Sequence, residues 1–165
     1  MQDKPEASGS EELVGAFKGA MRRLASGVAV AVALGPDGPV GMAATSITSL
    51  TMEPPAILLC VNQSASFHAC LAPGVRLTVN LLSRHQKDIS AAFGGGLPKD
   101  QRFTVGRWTP DGHGVPSLEE AQANMSCTID SLFLFGTHTI VIARVDEVRL
   151  SDGVDPLIFQ NGGYL

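Results

Sequence analysis

GMAATSITSLTMEPPAILLCVNQSASF, from Gly41 to Phe67, is the stretch on which the fold turns. It holds two strand-like segments joined at Pro54 and Pro55, a pair that marks a turn because proline fixes φ and lacks an amide proton. The second segment, AILLCV from Ala56 to Val61, is a short apolar run. It stops abruptly at Asn62, Gln63, Ser64 and Ser66, whose amides and hydroxyls are suited to holding phosphate. A strand ending in such a cluster reads as one wall of a ligand site.

Outward from this stretch the chain continues as short strands and tight turns. Residues 1–9 are polar and predict a frayed tail, which leaves a single domain over 10–165. A helix is predicted from about Ser10 to Leu24, with Leu13, Phe17, Met21 and Leu24 on one face that packs on the rest of the fold. The valine-rich run from Val28 to Leu34 leads into Gly35-Pro36-Asp37-Gly38, where Pro36 presets a bend and Gly38 permits positive φ. The returning strand runs through Val40 and Met42 toward Ile47, and Val75 to Leu82 gives another. Ser64 is placed to cap a short helix from Ala65 to Ala72, and a further helix is expected from His85 to Phe93. Leu97 to Val115, rich in Pro, Gly and polar residues, has the composition of a functional loop or lid with no core in it. Asn124 to Phe135 and Thr137 to Leu150 form a hairpin at Gly136, and Pro156 to Gln160 is a last short strand. Hairpin-linked strands with three short helices predict a mainly β fold: a closed antiparallel split β-barrel with a few short flanking helices.

With 165 residues, 44% of them hydrophobic, the chain has enough material for one domain with a substantial core. The longest apolar run, Val28 to Leu34, is far short of the roughly 20 residues that span a bilayer, and the first residues are acidic and polar, so neither membrane span nor secretion signal is expected. A net charge of -4 with scattered Lys and Arg gives no basic stripe, so nucleic acid is not an expected partner. Three cysteines without CxxC spacing suggest neither a disulfide framework nor a zinc knuckle and fit a reducing cytoplasm. His68, His85 and His113 share no metal-like spacing with His138, and no metal site is read. GxGxxG after a strand and GxxxxGK[ST] are both missing, so any nicotinamide cofactor binds some other way.

Three constellations carry possible chemistry. Ala44, Thr45 and Ser46 combine small side chains, hydroxyls and exposed amides, which let a flat ring approach and hydrogen-bond along its edge; the plain alternative is a strand end rich in β-formers. Asn62, Gln63, Ser64 and Ser66 could hold phosphate at a helix start, or Ser64 could simply cap that helix. His138, between two threonines on an apolar strand, is by general precedent more often a hydrogen-bonded structural residue than a catalyst. Arg84, Gln86 and Lys87 could reach a phosphate or form a solvated face.

In order and spacing these segments resemble the flavin reductases of the FMN-binding split-barrel family, small NAD(P)H:flavin oxidoreductases that feed reduced flavin to a separate monooxygenase. The resemblance rests on ASGVAV from Ala25, GMAATS from Gly41, MEPPAILLCVNQSASF from Met52, LTVNLLSRHQ from Leu77, FGG from Phe93, Arg102-Phe103 and GTHTI from Gly136, and it runs from Phe17 to Tyr164. It implies that Met42, Thr45 and Ser46 line the isoalloxazine, and that Cys60, Val61 and Asn62 run beneath the ring and ribityl chain. By the same resemblance Ser66, Phe67, Ser83 and Gln86 contact phosphate, Phe93 and Phe103 stand near an adenine or pyrophosphate, Tyr164 approaches the site, and His138 faces the nicotinamide. Ala43 and Phe67 stand where the family usually has Thr, and Phe93-Gly94-Gly95 replaces its Phe-Ala-Gly.

The resemblance further implies hydride transfer from NADH or NADPH to FAD or FMN, a homodimer with flavin near its interface, and a flavin-dependent monooxygenase as recipient. Phe93, Phe103, Trp108 and Arg102 offer stacking surfaces for an adenine and lean the reading toward FAD. Two other readings remain: a flavin-binding carrier or sensor without turnover, and an oxidase like pyridoxamine-phosphate oxidase, whose phosphate site needs a cluster of Arg and Lys not apparent in the sequence.

Overall fold

A computed structural model describes residues 6–165. Helix α1 (Glu6–Met21) begins before the expected Ser10, and the part of the predicted tail over residues 1–5 lies outside the described residues. A short strand β1 (Ser26–Gly27) follows, then the hairpin β2 (Ala29–Gly35) and β3 (Gly38–Ala44), closed by Pro36 and Asp37 with Gly38 at φ +126 as its turn requires. The strand expected to run on to Ile47 is instead cut at Thr45 and Ser46, and the chain resumes as β4 (Ile47–Met52) and β5 (Pro55–Asn62). Beyond the one-turn helix Ser66–Cys70 come β6 (Arg76–Leu81), α2 (Lys87–Ala91) continuing into a wide turn Ala92–Gly96, and a short helix Lys99–Thr104. The small pair β7 (Trp108–Pro110) and β8 (Pro116–Leu118), the long hairpin β9 (Ala123–Phe135) and β10 (His138–Leu150), and the terminal hairpin β11 (Ile158–Gln160) and β12 (Gly163–Tyr164) complete the chain.

Seven strands form one antiparallel sheet in the order β3-β2-β6-β9-β10-β5-β4. Its two edges, β3 and β4, are consecutive in the chain, and their only link is the Thr45-Ser46 segment; the ladder is open along that seam. The sheet curls around a core of Ala31, Leu59, Val61, Leu77, Val79, Ile129 and Val141, with Phe67 fully buried among them. A second core lies on the outer side of β2, where Val28, Val30 and Val32 meet Leu82, Phe93, Leu118 and Leu157. Burial on both faces is why Val28 to Ala33 reads as continuous apolar sequence rather than alternation. Asn80, buried on that outer side, donates to the Val30 carbonyl (3.0 Å) and accepts from the Leu118 amide (2.9 Å) and Asn124 (2.7 Å), so one side chain ties β8 to the sheet.

Three expectations change. Leu97 to Val115 is no core-free lid: Phe103, Val105 and Trp108 pack on the second core and Val115 is buried. Ser64 caps no helix; its hydroxyl and amide both donate to Asn62 Oδ1 (2.8 and 2.9 Å), and the short helix starts at Ser66 without a side-chain cap. Finally, the apolar face of α1 stays largely open among the described residues: Leu13 and Phe17 are 70% and 62% exposed, the two cores already covering both faces of β2.

Candidate functional site

The seam between β3 and β4 shapes the site. β3 ends at Ala44, paired with Ala29, and β4 starts at Ile47, paired with Leu59, so Thr45 and Ser46 sit outside both ladders. Among the described residues their amide N–H groups have no partner. Ser46 is nevertheless anchored, since its hydroxyl donates to the Cys60 carbonyl (3.0 Å) and its carbonyl accepts from the Cys60 amide (3.2 Å).

A cavity of about 320 Å³ opens on one side of this segment, between Ala43, Ala44 and Thr45 on the strand and Ser90, Ala91 and Gly94 on the α2 side. Its far wall is the terminal hairpin, where the Tyr164 hydroxyl is 2.8 Å from the Ser90 hydroxyl and the Tyr164 ring meets Phe159 edge-on at 5.4 Å. A Cβ on Gly94 would reach 4.0 Å from the Ala43 Cβ, so the glycine keeps the slot open. Thr45 and Phe159 are shared with a second cavity of about 700 Å³, which continues past Ser46 and Ser26 to Lys18 and Arg22 of the α1 end and to the turn Gln160–Gly162. No carboxylate among the described residues lines either cavity. The slot can hold a flat heteroaromatic ring and hydrogen-bond its polar edge; its lining holds no histidine or carboxylic acid, and no group of three or more His, Cys, Asp or Glu able to hold a metal occurs among the described residues.

The expected site residues divide. Ala44, Thr45, Ser46 and Tyr164 do come together around the two cavities. Cys60 stands beside Ser46, and two positions further along β5 Asn62 pairs with His138 at the start of β10, so these share the outer face of the sheet. His138 is exposed, with Nδ1 2.9 Å from the Thr137 hydroxyl. The histidine bonded across strands is the half-buried His68, whose Nε2 lies 2.8 Å from Thr139 Oγ1.

Other positions turn inward. Met42 is half-buried against the barrel core, and Val61 and Phe67 are fully buried in it, so only the main chains of these two can face a ligand. Ser66 is half-buried in the one-turn helix beside Phe67. Ser83 and Gln86 are buried and bonded to each other, the Ser83 amide donating to Gln86 Oε1 (2.8 Å) while Gln86 Nε2 donates to the Glu120 carbonyl (3.0 Å). Phe93, Phe103 and Trp108 pack on one another with centroids 5.1 to 5.3 Å apart, and Arg102 donates to the Leu97 and Gly41 carbonyls. Phe93 is buried and presents no face to an adenine, while Arg102, Phe103 and Trp108 are half-buried and already engaged in these contacts.

Sequence reasoning passed over Ser90, Phe159 and the α1 end as parts of the cleft. One signal was present: Asn161-Gly162 is a dipeptide that favours two-residue hairpins, and here it turns β11 into β12 with φ +51 and +82.

The chain matches the model of the flavin reductase like domain over residues 21–165. It is 36% identical over 148 residues to the FMN reductase (NADH) RutF of Stutzerimonas stutzeri, covering 90% of this chain and 85% of that protein. Among solved structures it is similar to the styrene monooxygenase flavin reductase of Pseudomonas putida, with a TM-score of 0.80 and 29% identity over 90% of this chain and 95% of that one. It is also similar to an NADH:FAD oxidoreductase of Streptomyces globisporus in complex with NAD and FAD fragments, with a TM-score of 0.82 and 25% identity over 99% and 96%. A seven-stranded barrel split at its cofactor-sized cleft, matched in sequence over most of its length, places this chain in the flavin reductase like domain family.

Proposed function

We propose that the chain is an NADH-dependent FMN reductase that supplies reduced flavin to a separate flavin-dependent monooxygenase. The observation that carries this is the slot at the seam: small walls at Ala43, Ala44 and Gly94, with the unpartnered amides of Thr45 and Ser46 at its mouth. That donor set fits an isoalloxazine, whose flat body needs small neighbours and whose pyrimidine edge accepts hydrogen bonds. Bound together, flavin and dihydronicotinamide supply the redox chemistry, a hydride passing from nicotinamide C4 to flavin N5. The chain's own contribution is alignment. Thr45 and Ser46 hold the ring edge, Cys60 fixes Ser46, Tyr164 and Phe159 close the far wall, and Asn62 shapes the adjoining loop. His138 keeps Nδ1 on Thr137 and presents Nε2 outward, a disposition suited to orienting the nicotinamide carboxamide.

FMN is favoured over FAD, because the loop aromatics expected to receive an adenine are packed on each other and the relative at 36% identity is an FMN reductase. The protein works as a homodimer: Leu13 and Phe17 on α1, and Phe133 and Phe135 on the outer face of β9, form apolar surface that a second copy would cover. Three unpaired cysteines suit a reducing cytoplasm. No helix among the described residues is long and apolar enough to cross a membrane.

Mixing purified protein with NADH, with and without FMN, and following the nicotinamide absorbance tests the reading. NADH oxidation that depends on added flavin is the expected result. Flavin binding without any oxidation would instead make the chain a carrier and overturn the assignment.

A further inference from the structure

We infer that Lys18, Arg22 and Arg23, at the C-terminal end of α1, form an anion subsite at the outer end of the cleft that takes a phosphate group of one of its two nucleotides. The inference rests on the flavin reductase reading and adds a site to it. Lys18 and Arg22 line the larger cavity, whose inner end is Thr45 and Ser46. Arg22 and Arg23 line an adjoining hollow of about 400 Å³ with Gln160 and Asn161, and among the described residues no carboxylate lines that hollow either. The ion pairs of the described residues involve Arg76, Arg84, Arg107 and Arg144, so among these residues no acid neutralises the three cations at the α1 end. In a chain of net charge -4, three cations between positions 18 and 23 reverse the local field where the cleft opens.

The Lys18 and Arg22 heads are also spared from capping the helix. The Asn161 amide donates to the Arg22 carbonyl (2.9 Å) and Gln160 Nε2 donates to the Arg23 carbonyl (3.0 Å), so the terminal hairpin satisfies these carbonyls. One Arg23 nitrogen donates to the Gly19 carbonyl, which holds that guanidinium along the helix, while Arg22 and Lys18 have no side-chain partner among the described residues. The Gln86 amide, one of the groups expected at a phosphate, is instead engaged with the Ser83 amide and the Glu120 carbonyl. Guanidinium and ammonium groups are the side chains that recognise phosphate oxygens, through charge-assisted hydrogen bonds.

Two phosphates could fill the subsite, the monoester of FMN or the pyrophosphate of NADH, and one experiment separates them. Arg22→Ala, Lys18→Ala and the control Lys99→Ala are titrated with FMN and with riboflavin by flavin fluorescence, and KM for NADH is measured with riboflavin as acceptor. If the flavin phosphate is bound, the Arg22 and Lys18 variants weaken FMN by about tenfold and leave riboflavin unchanged. If the pyrophosphate is bound, KM for NADH rises by about that factor and flavin affinity stays at the parent value. Equal weakening of FMN and riboflavin, or a lower melting temperature with every affinity unchanged, overturns the subsite and leaves these residues as partners of the helix dipole. A parent protein that binds FMN yet never oxidises NADH would fail the reductase reading instead, and the FMN and riboflavin titrations would still report on the subsite.

Discussion

Gly41→Ala is the most revealing perturbation of this fold. Gly41 sits on β3 opposite Val32, and a Cβ added there would lie 2.5 Å from Phe93 Cε1 and 2.8 Å from Cδ1. Carbon atoms in contact prefer about 3.5 to 4.0 Å, so something must move by about 1 Å. The Phe93 ring cannot swing aside: it is 2% exposed and wedged at 5.1 Å from Phe103 and 5.2 Å from Trp108. Overpacking of this kind costs about 1 to 3 kcal/mol. For a chain of this size that lowers the melting temperature by roughly 2 to 12 °C, at about 2 to 4 °C per kcal/mol. The displacement also reaches the site, because Gly94 follows Phe93 directly and walls the slot. Thermal melts and FMN titrations of Gly41→Ala, Phe93→Leu and the double variant measure the effect. We expect both stability and FMN affinity to fall in Gly41→Ala, with the double variant more stable than the sum of the two single losses. A Gly41→Ala protein melting within about 1 °C of the parent, or a strictly additive double variant, would show that the collision is relieved elsewhere and refute the reasoning.

His138→Ala should slow single-turnover flavin reduction, by as much as about a hundredfold if alignment is lost, and leave the melting temperature unchanged, since the ring is exposed and bonds only its neighbour Thr137; a large drop in melting temperature at the parent rate would remove it from the site. Burial works against the Asp111 charge, but the His113 and Val115 amides and the Ser126 hydroxyl donating to it, with the His113 ring nearby, hold its carboxyl below the usual range. A lowered folded pKa stabilises above the unfolded value of about 4 and is lost as pH falls through the folded one, so Asp111→Asn should cost stability at pH 7 and close on the parent below about pH 4 in urea melts. Burial, with the Asp146 charge adding to it, pushes the Cys127 thiol up to about 12, so a thiol reagent at pH 8 should label it only in denaturant; rapid labelling of all three cysteines in the native protein would contradict that placement.

Much of the architecture was legible in the chain because it is local. Gly38 and Gly136 permit the positive φ of two hairpin turns, and both hairpins form where they stand. The polar break at Thr45 and Ser46 falls where the structure opens its cleft, although it reads in the sequence as a strand end rather than as the seam between two sheet edges. What the sequence could not decide is which apolar or polar groups would find each other. By family resemblance Gln86, Ser83 and Phe67 are ligand contacts, yet the fold places the Gln86 amide between the Ser83 amide and the Glu120 carbonyl and buries Phe67 in the core. Phe93, Phe103 and Trp108 look like free stacking surfaces until the loop folds back and packs them together under Gly41. The apolar stripe of α1 has the spacing of a buried face, but periodicity records only that a face seeks cover and not whether the cover lies in the same chain. Residues that act through their nearest neighbours were therefore fixed by the sequence alone. The cleft was not: Ser90, Tyr164, Thr45 and Arg22 are far apart in the chain, and only packing against the curled sheet brings them around one space.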